Sequence, residues 1–263
     1  MESIRIDIDP VEFSRRRSSV DILADAADGV RGLLAAIGRR RRPGRAQRLA
    51  AIEAAKARAD REIHEIQPQL AYLDVIREVL PRDGFLCDEL SQVGFASWYG
   101  FPTYLPRTFV SSGYPGTLGA GFATALGVKV IHPRREVVSI CGDVGFMFGM
   151  AELASAVAHR IGTVTLVFNN GAFENVRRDQ AERFGGRTIA VQLGTPDLVA
   201  LGRSFGAHAV RARTPQQLRG ALSKALGDDL PWLIEIPVKQ GSETNPWRFI
   251  HPKPPSEDDL AAT

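Results

Sequence analysis

Two polar positions at the ends of predicted strands could together hold a divalent cation. One strand ends in Gly-Asp-Val-Gly at 142–145, and another ends in Asn-Asn-Gly at 169–171. Consecutive parallel strands joined by one crossover end at the same sheet edge, so Asp143 and Asn170 should lie close together. Carboxylate and amide oxygens suit Mg²⁺, which takes water and phosphate oxygens as its other ligands. We therefore expect a metal-bridged diphosphate here, with Gly145 offering a backbone N–H to the phosphate.

A second glycine-rich turn, GYPGTLGAG, occupies 113–121. Its missing side chains allow a tight turn and the close approach of a flat ligand. A dinucleotide-binding fingerprint is an alternative, because Gly119 and Gly121 open a helix and Asp143 follows at roughly the 20-residue distance of that motif's acidic residue. The third glycine position of the fingerprint holds Thr124, which weakens this alternative without removing it.

The elements that position these turns alternate between short apolar strands and capped helices. Thr195-Pro196 and Thr214-Pro215 each predict a helix start with the hydroxyl at the N-cap and proline at the first helical position. This alternation predicts an α/β fold with a doubly wound, mostly parallel sheet and helices on both faces. The predicted strands are Phe85–Cys87, Thr108–Val110, Val137–Cys141, Thr163–Phe168, Ala207–Val210 and Trp232–Ile236.

The spacing of Gly142-Asp143 and Asn169-Asn170 matches a known motif. The chain resembles the carboxy-terminal, diphosphate-binding portion of thiamine-diphosphate enzymes of the acetolactate synthase, benzoylformate decarboxylase and pyruvate decarboxylase type. The segments PQLAYLDVIREVLPRDGFLCDE and GTLGAGFATALGVKVIHP are also similar to that domain. The resemblance implies a Mg²⁺ ion held by Asp143, Asn170 and the backbone carbonyl of Ala172.

The resemblance also implies roles for residues around thiamine diphosphate. Gly145 would face the diphosphate, the carbonyl of Gly116 would accept from the aminopyrimidine, and Leu118 would bend the cofactor into its V shape. Phe173 would either shield the cofactor from water or pack in the core. The full set of expected cofactor-binding residues is Gly116, Thr117, Leu118, Gly142, Asp143, Val144, Gly145, Asn170, Ala172 and Phe173.

Four segments are expected along the chain. Residues 1–42 resemble a remnant of the family's central domain, 43–67 a helical linker, 68–240 the diphosphate- and Mg²⁺-binding domain, and 241–263 a carboxy-terminal tail. The Arg39–Arg42 run is interpreted as a solvated boundary.

The expected function is a component of a 2-oxo acid decarboxylase or carboligase, acting on a small 2-oxo acid. The sequence lacks the family's pyrimidine-binding domain and the activating glutamate in it, so we expect a homodimer or a hetero-oligomer with a pyrimidine-domain chain. The alternative is a truncated, non-catalytic remnant or a regulatory partner that keeps the cofactor-binding fold.

Five further positions stay open on the sequence alone. Val144 replaces the motif's usual glycine, and a β-branched residue would be strained there if the turn requires a positive φ. Glu89 and Gln92 could face the substrate or cap a helix. Arg177 and Arg178 could bind an anionic group or lie on a solvated face.

Composition excludes several other classes of protein. The 33 Lys and Arg residues exceed the 30 Asp and Glu residues only slightly, so nucleic-acid binding is not expected. The two cysteines, Cys87 and Cys141, have neither metal-binding spacing nor the number a disulfide framework needs. No apolar run reaches the ~18 residues of a membrane helix, and we expect a cytoplasmic protein.

Overall fold

The structure is a computed structural model that describes residues 3–15, 18–38, 44–113 and 115–251. The chain divides into two compact units, Met1–Lys56 and Ala57–Thr263, so the boundary falls within the predicted linker. The Arg39–Arg42 run and residues 252–263 of the predicted tail lie outside the described residues.

The first unit is built around a pair of parallel strands. Strand β1 (Ile4–Asp7) pairs with β2 (Val20–Leu23), and helices α1 (Glu12–Arg15) and α2 (Ala26–Ile37) follow them in turn. Asp25 caps α2 by accepting a hydrogen bond from the Ala27 amide. Helix α3 (Arg45–Ile63) begins in this unit and ends in the second.

The second unit contains a six-stranded sheet and its covering helices. Its strands are β3 (Phe85–Cys87), β4 (Phe109–Val110), β5 (Val137–Gly142), β6 (Val164–Asn169), β7 (His208–Arg211) and β8 (Trp232–Pro237). Its helices are α4 (Gln69–Val79), α5 (Gln92–Gly100), α6 (Ala120–Ile131), α7 (Asp143–Gly149), α8 (Glu152–Ala158), α9 (Glu174–Arg183), α10 (Leu198–Ser204), α11 (Pro215–Ala225) and α12 (Trp247–Ile250).

The sheet is parallel throughout, in the order β4-β3-β5-β6-β8-β7. Neighbouring residues of its central strands point into opposite cores. Leu166 of β6 packs in a cluster with Leu70 of α4 and Leu218 of α11, whereas Val167 packs with Phe122 of α6 and Leu198 of α10. Because both faces are covered, the central strands β5, β6 and β8 are predominantly apolar, although Ser139, Thr165 and Glu235 lie within them. The predicted α/β fold with a doubly wound sheet is confirmed.

One of the two predicted helix caps is wrong. Thr214 accepts a hydrogen bond from the Gln217 amide and caps α11, as predicted. Helix α10, however, begins at Leu198, and its cap is Asp197, whose carboxylate accepts from two first-turn amides. Thr195 lies before that cap and bonds elsewhere, because an aspartate two residues later competes for the same role.

The residues after β8 pack against other elements of the second unit. The Thr244 amide donates to the Gln67 carbonyl at 2.9 Å, and the Arg178 guanidinium donates to the Glu243 carbonyl at 2.9 Å. Trp247 donates from its indole nitrogen to Asn175 of α9. Part of the predicted tail therefore contacts the elements around the candidate site. Within the described ranges, no helix has both the length and the apolar character that spanning a bilayer requires.

Candidate functional site

Asp143 lies where β5 ends and α7 begins, at the carboxyl edge of the sheet. Strands β5 and β6 are adjacent and parallel, with Gly142 opposite Phe168, so the predicted meeting of their ends is confirmed. The Asp143 Oδ2 accepts hydrogen bonds from the Gly171 amide at 2.9 Å and from the Thr195 hydroxyl at 3.0 Å. Thr195, predicted as a helix cap, thus fixes the orientation of this carboxylate instead.

Asn170 holds the loop that follows β6. Its Oδ1 accepts from the Ala172 amide at 3.2 Å, and its Nδ2 donates to Glu243 Oε2 at 3.1 Å. Gly171 between them has a φ of 68°, a left-handed conformation that glycine adopts without strain. Side-chain oxygens of Asp143 and Asn170 therefore accept from consecutive backbone amides of one tight turn.

The Ala172 carbonyl is aimed away from its neighbouring strand-like segment. Ala172 forms an isolated antiparallel bridge with Gln192, in which the hydrogen bonds run from Phe173 to Val191 and from Leu193 to Gly171. Ala172 and Gln192 are thus a non-hydrogen-bonded antiparallel pair, in which each residue directs its own N–H and C=O away from the partner segment. On the outer side, the Ala172 amide donates a hydrogen bond to Asn170 Oδ1. Within the described residues, no hydrogen bond reaches the Ala172 carbonyl.

The site is acidic and buried. Burial raises the pKa of the Asp143 carboxyl, against the lowering effect of its hydrogen bonds to Thr195 and Gly171. Burial also raises the pKa of the Glu243 carboxyl to about 7, and the nearby charges of Glu174 and Asp143 add to that rise. The charge of Glu174 is balanced by a bidentate ion pair with the Arg177 guanidinium, at N···O distances of 2.7 and 2.6 Å.

A cavity of about 310 Å³ opens beside these residues. All the cofactor-binding residues expected from the sequence line it except Thr117, which lies outside the lining. Residues from both glycine-rich turns, 113–121 and 142–145, are thus brought to one cavity by neighbouring elements. The roles assigned to them stay predictions.

The cavity also has walls that sequence reasoning missed or left open. They are Leu90, Ser91, Gln92, Phe95, Phe168, Glu174, Asn175, Val176 and Glu243. Most lie in the first turns of α5 and α9, immediately after strands, where a search of every strand-to-helix junction would have found them. Glu243 carries no such signal, because it lies in the segment interpreted as a tail.

Three other open candidates, Gln92, Arg177 and Arg178, have partners within the protein. Gln92 lines the cavity and accepts a hydrogen bond from Arg178 at 3.0 Å. Arg177 pairs with Glu174, and neither arginine lines the cavity. The structure therefore does not place either guanidinium where it would contact a ligand in this cavity.

Val144 is unstrained. It belongs to helix α7, and the non-glycine residues with positive φ in the described part of the chain are Arg107, Arg160 and Ala190. The turn does not require a left-handed residue at this position, so the condition under which Val144 would be strained is not met.

The side chain of Glu89 leaves no space for a side chain at positions 121 and 145. A Cβ built on Gly145 would lie 1.3 Å from Glu89 Oε1, and one on Gly121 would lie 2.9 Å from Glu89 Cβ. From the sequence, Gly145 is expected to offer its backbone N–H to a phosphate, and Gly121 is considered as part of a dinucleotide fingerprint. The position of Glu89 explains the glycine at both positions without a ligand. Glu89 itself is buried and does not line the cavity.

Comparison with known proteins identifies the domain that contains this site. Residues 91–236 match the family model described as "Thiamine pyrophosphate enzyme, C-terminal TPP binding domain". The match contains both glycine-rich turns, Asp143 and the loop that follows β6. It supports thiamine diphosphate (thiamine pyrophosphate) as the ligand of this domain and disfavours the dinucleotide alternative.

Two relatives and one solved structure illustrate the similarity. A probable acetolactate synthase large subunit of Methanocaldococcus jannaschii is 32% identical over 247 residues, covering 89% of this chain and 42% of the relative. A benzoylformate decarboxylase of Pseudomonas aeruginosa is 28% identical over 240 residues, covering 90% of this chain and 44% of the relative. The thiamine diphosphate-dependent 4-hydroxybenzoylformate decarboxylase of Rhodococcus jostii RHA1 has the same fold, with a TM-score of 0.69 at 20% identity over 90% of this chain and 44% of that one.

The chain therefore spans less than half the length of these relatives. The family model covers more than half of the 263 residues and includes most of the cavity lining. This chain belongs to the thiamine pyrophosphate enzymes, of which it carries the C-terminal TPP-binding domain.

Proposed function

We propose that this chain binds thiamine diphosphate through a Mg²⁺ ion at the carboxyl edge of its sheet, as part of a 2-oxo acid decarboxylase or carboligase. The observation that carries the proposal is the arrangement of Asp143 and Asn170 on the consecutive amides of Gly171 and Ala172. Two side-chain oxygens thus lie around one turn beside the cavity, together with the Ala172 carbonyl, which no hydrogen bond reaches within the described residues.

The donor set fits a hard cation. Asp143, Asn170 and the Ala172 carbonyl offer three oxygens, and Mg²⁺ typically takes few protein oxygens and completes its octahedron with phosphate and water. Within the described part of the chain no three His, Cys, Asp or Glu side chains form a metal-binding group, and this set needs only one of them. A divalent cation would also offset the cost of burying the Asp143 carboxylate beside Glu243.

The remaining lining suits the rest of the cofactor. Gly116 and the 142–145 turn bring backbone close to the cavity without bulky side chains, and Leu118 and Phe173 supply apolar surface. These residues would bind and orient the cofactor and exclude water. Bound thiamine diphosphate supplies an electron sink for breaking or forming a carbon–carbon bond next to a carbonyl.

The substrate class and the assembly rest on the relatives. Their names describe acetolactate synthesis and benzoylformate decarboxylation, so we propose a small 2-oxo acid as substrate. We further propose that a pyrimidine-binding domain completes the cavity in a homodimer or hetero-oligomer, as the resemblance to the thiamine-diphosphate enzymes implies.

Calorimetric titration tests the metal bridge. The full 263-residue chain is titrated with thiamine diphosphate in MgCl₂, in EDTA, and in EDTA with MgCl₂ restored in excess. We expect binding in the first and third conditions only, because without a cation the diphosphate meets the Asp143 carboxylate as a like charge. Equal affinity in EDTA would contradict the metal bridge, and no binding in any condition would contradict the proposed function.

A further inference from the structure

Glu89 is a buried acid that the proposed cofactor site does not use directly. It follows β3 and is 1% exposed. Its Oε2 accepts a hydrogen bond from the Gly121 amide at 3.0 Å, whereas its Oε1 has no hydrogen-bond partner among the described residues. Burial raises the pKa of this carboxyl and the charge of Asp88 adds to that rise, whereas hydrogen bonding with the Gly119 and Gly121 amides and with the Cys141 thiol acts to lower it.

The Glu89 carboxyl lies between the first turns of α6 and α7. Gly121 is in the first turn of α6, and Gly145 is in the first turn of α7. The carboxyl occupies the space where each of these glycines would otherwise carry a side chain, with Oε1 1.3 Å from a Cβ built on Gly145. One side chain therefore contacts both helices at the ends where the two glycine-rich turns enter them.

Those two turns form part of the cavity. Gly116 and Leu118 precede α6, residues 142–145 form the end of β5 and the first turn of α7, and all of these residues line the cavity. Glu89 packs against the turns from outside the lining. Its position can therefore set their separation without contact with the ligand.

Core packing by itself does not call for a carboxyl at this point. A buried oxygen without a hydrogen-bond donor destabilises a fold, and an apolar residue of similar volume fills space without that cost. The hydrogen bond to the Gly121 amide compensates only one of the two oxygens. An uncompensated buried group of this kind calls for an explanation, and a role in the site supplies one.

We propose that Glu89 is a positioning residue of the cofactor cleft: by filling the space between Gly121 and Gly145, it fixes the spacing of the two cavity-lining turns. The inference rests on the proposed binding of thiamine diphosphate to this cavity. It also changes the role of Gly145, which is glycine to admit Glu89 and not to admit the diphosphate.

Affinity for thiamine diphosphate in excess MgCl₂ is measured for the full chain and for Glu89→Ala, Glu89→Gln, Gly145→Ala and Glu89→Ala/Gly145→Ala. Misplacement of reacting groups by about 1 Å can lower an enzyme's rate about 100-fold. We expect ligand affinity to be comparably sensitive, with Glu89→Ala binding at least about tenfold more weakly. Glu89→Gln keeps the size of the side chain and an acceptor for Gly121, and should stay within about threefold of wild type.

The double variant separates the two roles of Gly145. With Glu89 present, an added methyl group collides with Oε1, and we expect Gly145→Ala to weaken binding by about 100-fold. In the Glu89→Ala background the colliding carboxyl is absent, so adding Gly145→Ala should change affinity by less than about threefold. Thermal unfolding of each variant is recorded in parallel, to show that the unliganded chains are folded.

Three results would overturn the inference while leaving the proposed function intact. They are wild-type affinity in Glu89→Ala, equal weakening by Glu89→Ala and Glu89→Gln, and a Gly145→Ala effect of the same size in both backgrounds. The last would mean that the ligand itself needs the space at Gly145. Failure of the wild-type chain to bind in MgCl₂ would instead overturn the proposed function and this inference with it.

Discussion

Asn170 and Glu243 lie 73 residues apart in the sequence and are joined by a hydrogen bond of 3.1 Å, from Asn170 Nδ2 to Glu243 Oε2. Since Nδ2 is held by Glu243, the amide group is oriented with its Oδ1 toward the Ala172 amide and the proposed metal site. An outer carboxylate thus fixes the rotamer of an inner amide, as is common around bound metals.

Removing this outer carboxylate should weaken metal-dependent binding. We expect Glu243→Ala to reduce the affinity for thiamine diphosphate in MgCl₂ by about tenfold, because the Asn170 amide is then free to rotate. Glu243→Gln retains an oxygen acceptor and should bind nearly as well as wild type. Calorimetry of both, with Glu182→Ala on the exposed part of α9 as control, checks this. Unchanged affinity in Glu243→Ala would exclude the orienting role.

Asp143→Ala and Asn170→Ala should each weaken Mg²⁺-dependent binding of thiamine diphosphate at least tenfold, about 1.4 kcal/mol. Each removes one of the proposed oxygen ligands, and the far-UV circular dichroism should stay close to wild type because both residues lie at the sheet edge. Asp179→Ala is the matched control, since it removes an exposed carboxylate paired with Arg183 on α9. If either site variant kept full affinity, that residue would not be a ligand.

Val144→Gly should not improve cofactor binding. Val144 already has helical backbone geometry in α7, so glycine relieves no strain there. Glycine in place of a side-chain-bearing residue in a helix costs about 0.5–1 kcal/mol, and we expect a lower free energy of unfolding. Urea denaturation and calorimetry check the two statements separately. Tighter binding in Val144→Gly would show that the turn changes conformation when the cofactor binds.

The stability difference between wild type and Glu89→Gln should depend on pH. Burial raises the pKa of Glu89 above its ordinary value of 4.5, so the folded state favours the neutral carboxyl. Its contribution is fully present below about pH 4.5 and is lost as the pH rises through the folded-state pKa. Glu89→Gln should therefore gain in stability relative to wild type as the pH rises above the ordinary glutamate pKa of 4.5. Urea unfolding at several pH values measures this gain, and a constant difference would contradict a raised pKa.

The 263-residue chain alone should release no CO₂ from pyruvate above background. The resemblance implies that the activating glutamate comes from a pyrimidine-binding domain, and Glu89 and Glu152 of this chain do not line the cavity. General acid–base assistance of that kind typically contributes about 10²- to 10⁴-fold. Activity should appear on mixing with a pyrimidine-binding domain from a relative. Rapid deuterium exchange at the thiazolium carbon by the isolated chain would contradict this.

The sequence by itself determined the sheet and the meeting of Asp143 with the loop after β6. Continuous apolar runs such as 163–168 identify strands buried on both faces, and strands joined by a single crossover end at the same edge. Both inferences depend only on local pattern and on a topological rule. The strands and the position of Asp143 at the sheet edge therefore follow without reference to any side-chain contact.

Only the tertiary structure decided which side chains support that edge. Thr195 and Glu243 reach the site from segments that follow other elements, and Glu89 lies under Gly145. From the local sequence, Thr195 is predicted to cap a helix, Glu243 to lie in a tail, and Glu89 to be an acid whose role stays open. Such contacts depend on where loops bring distant segments, and neither hydrophobic periodicity nor capping preference records that position.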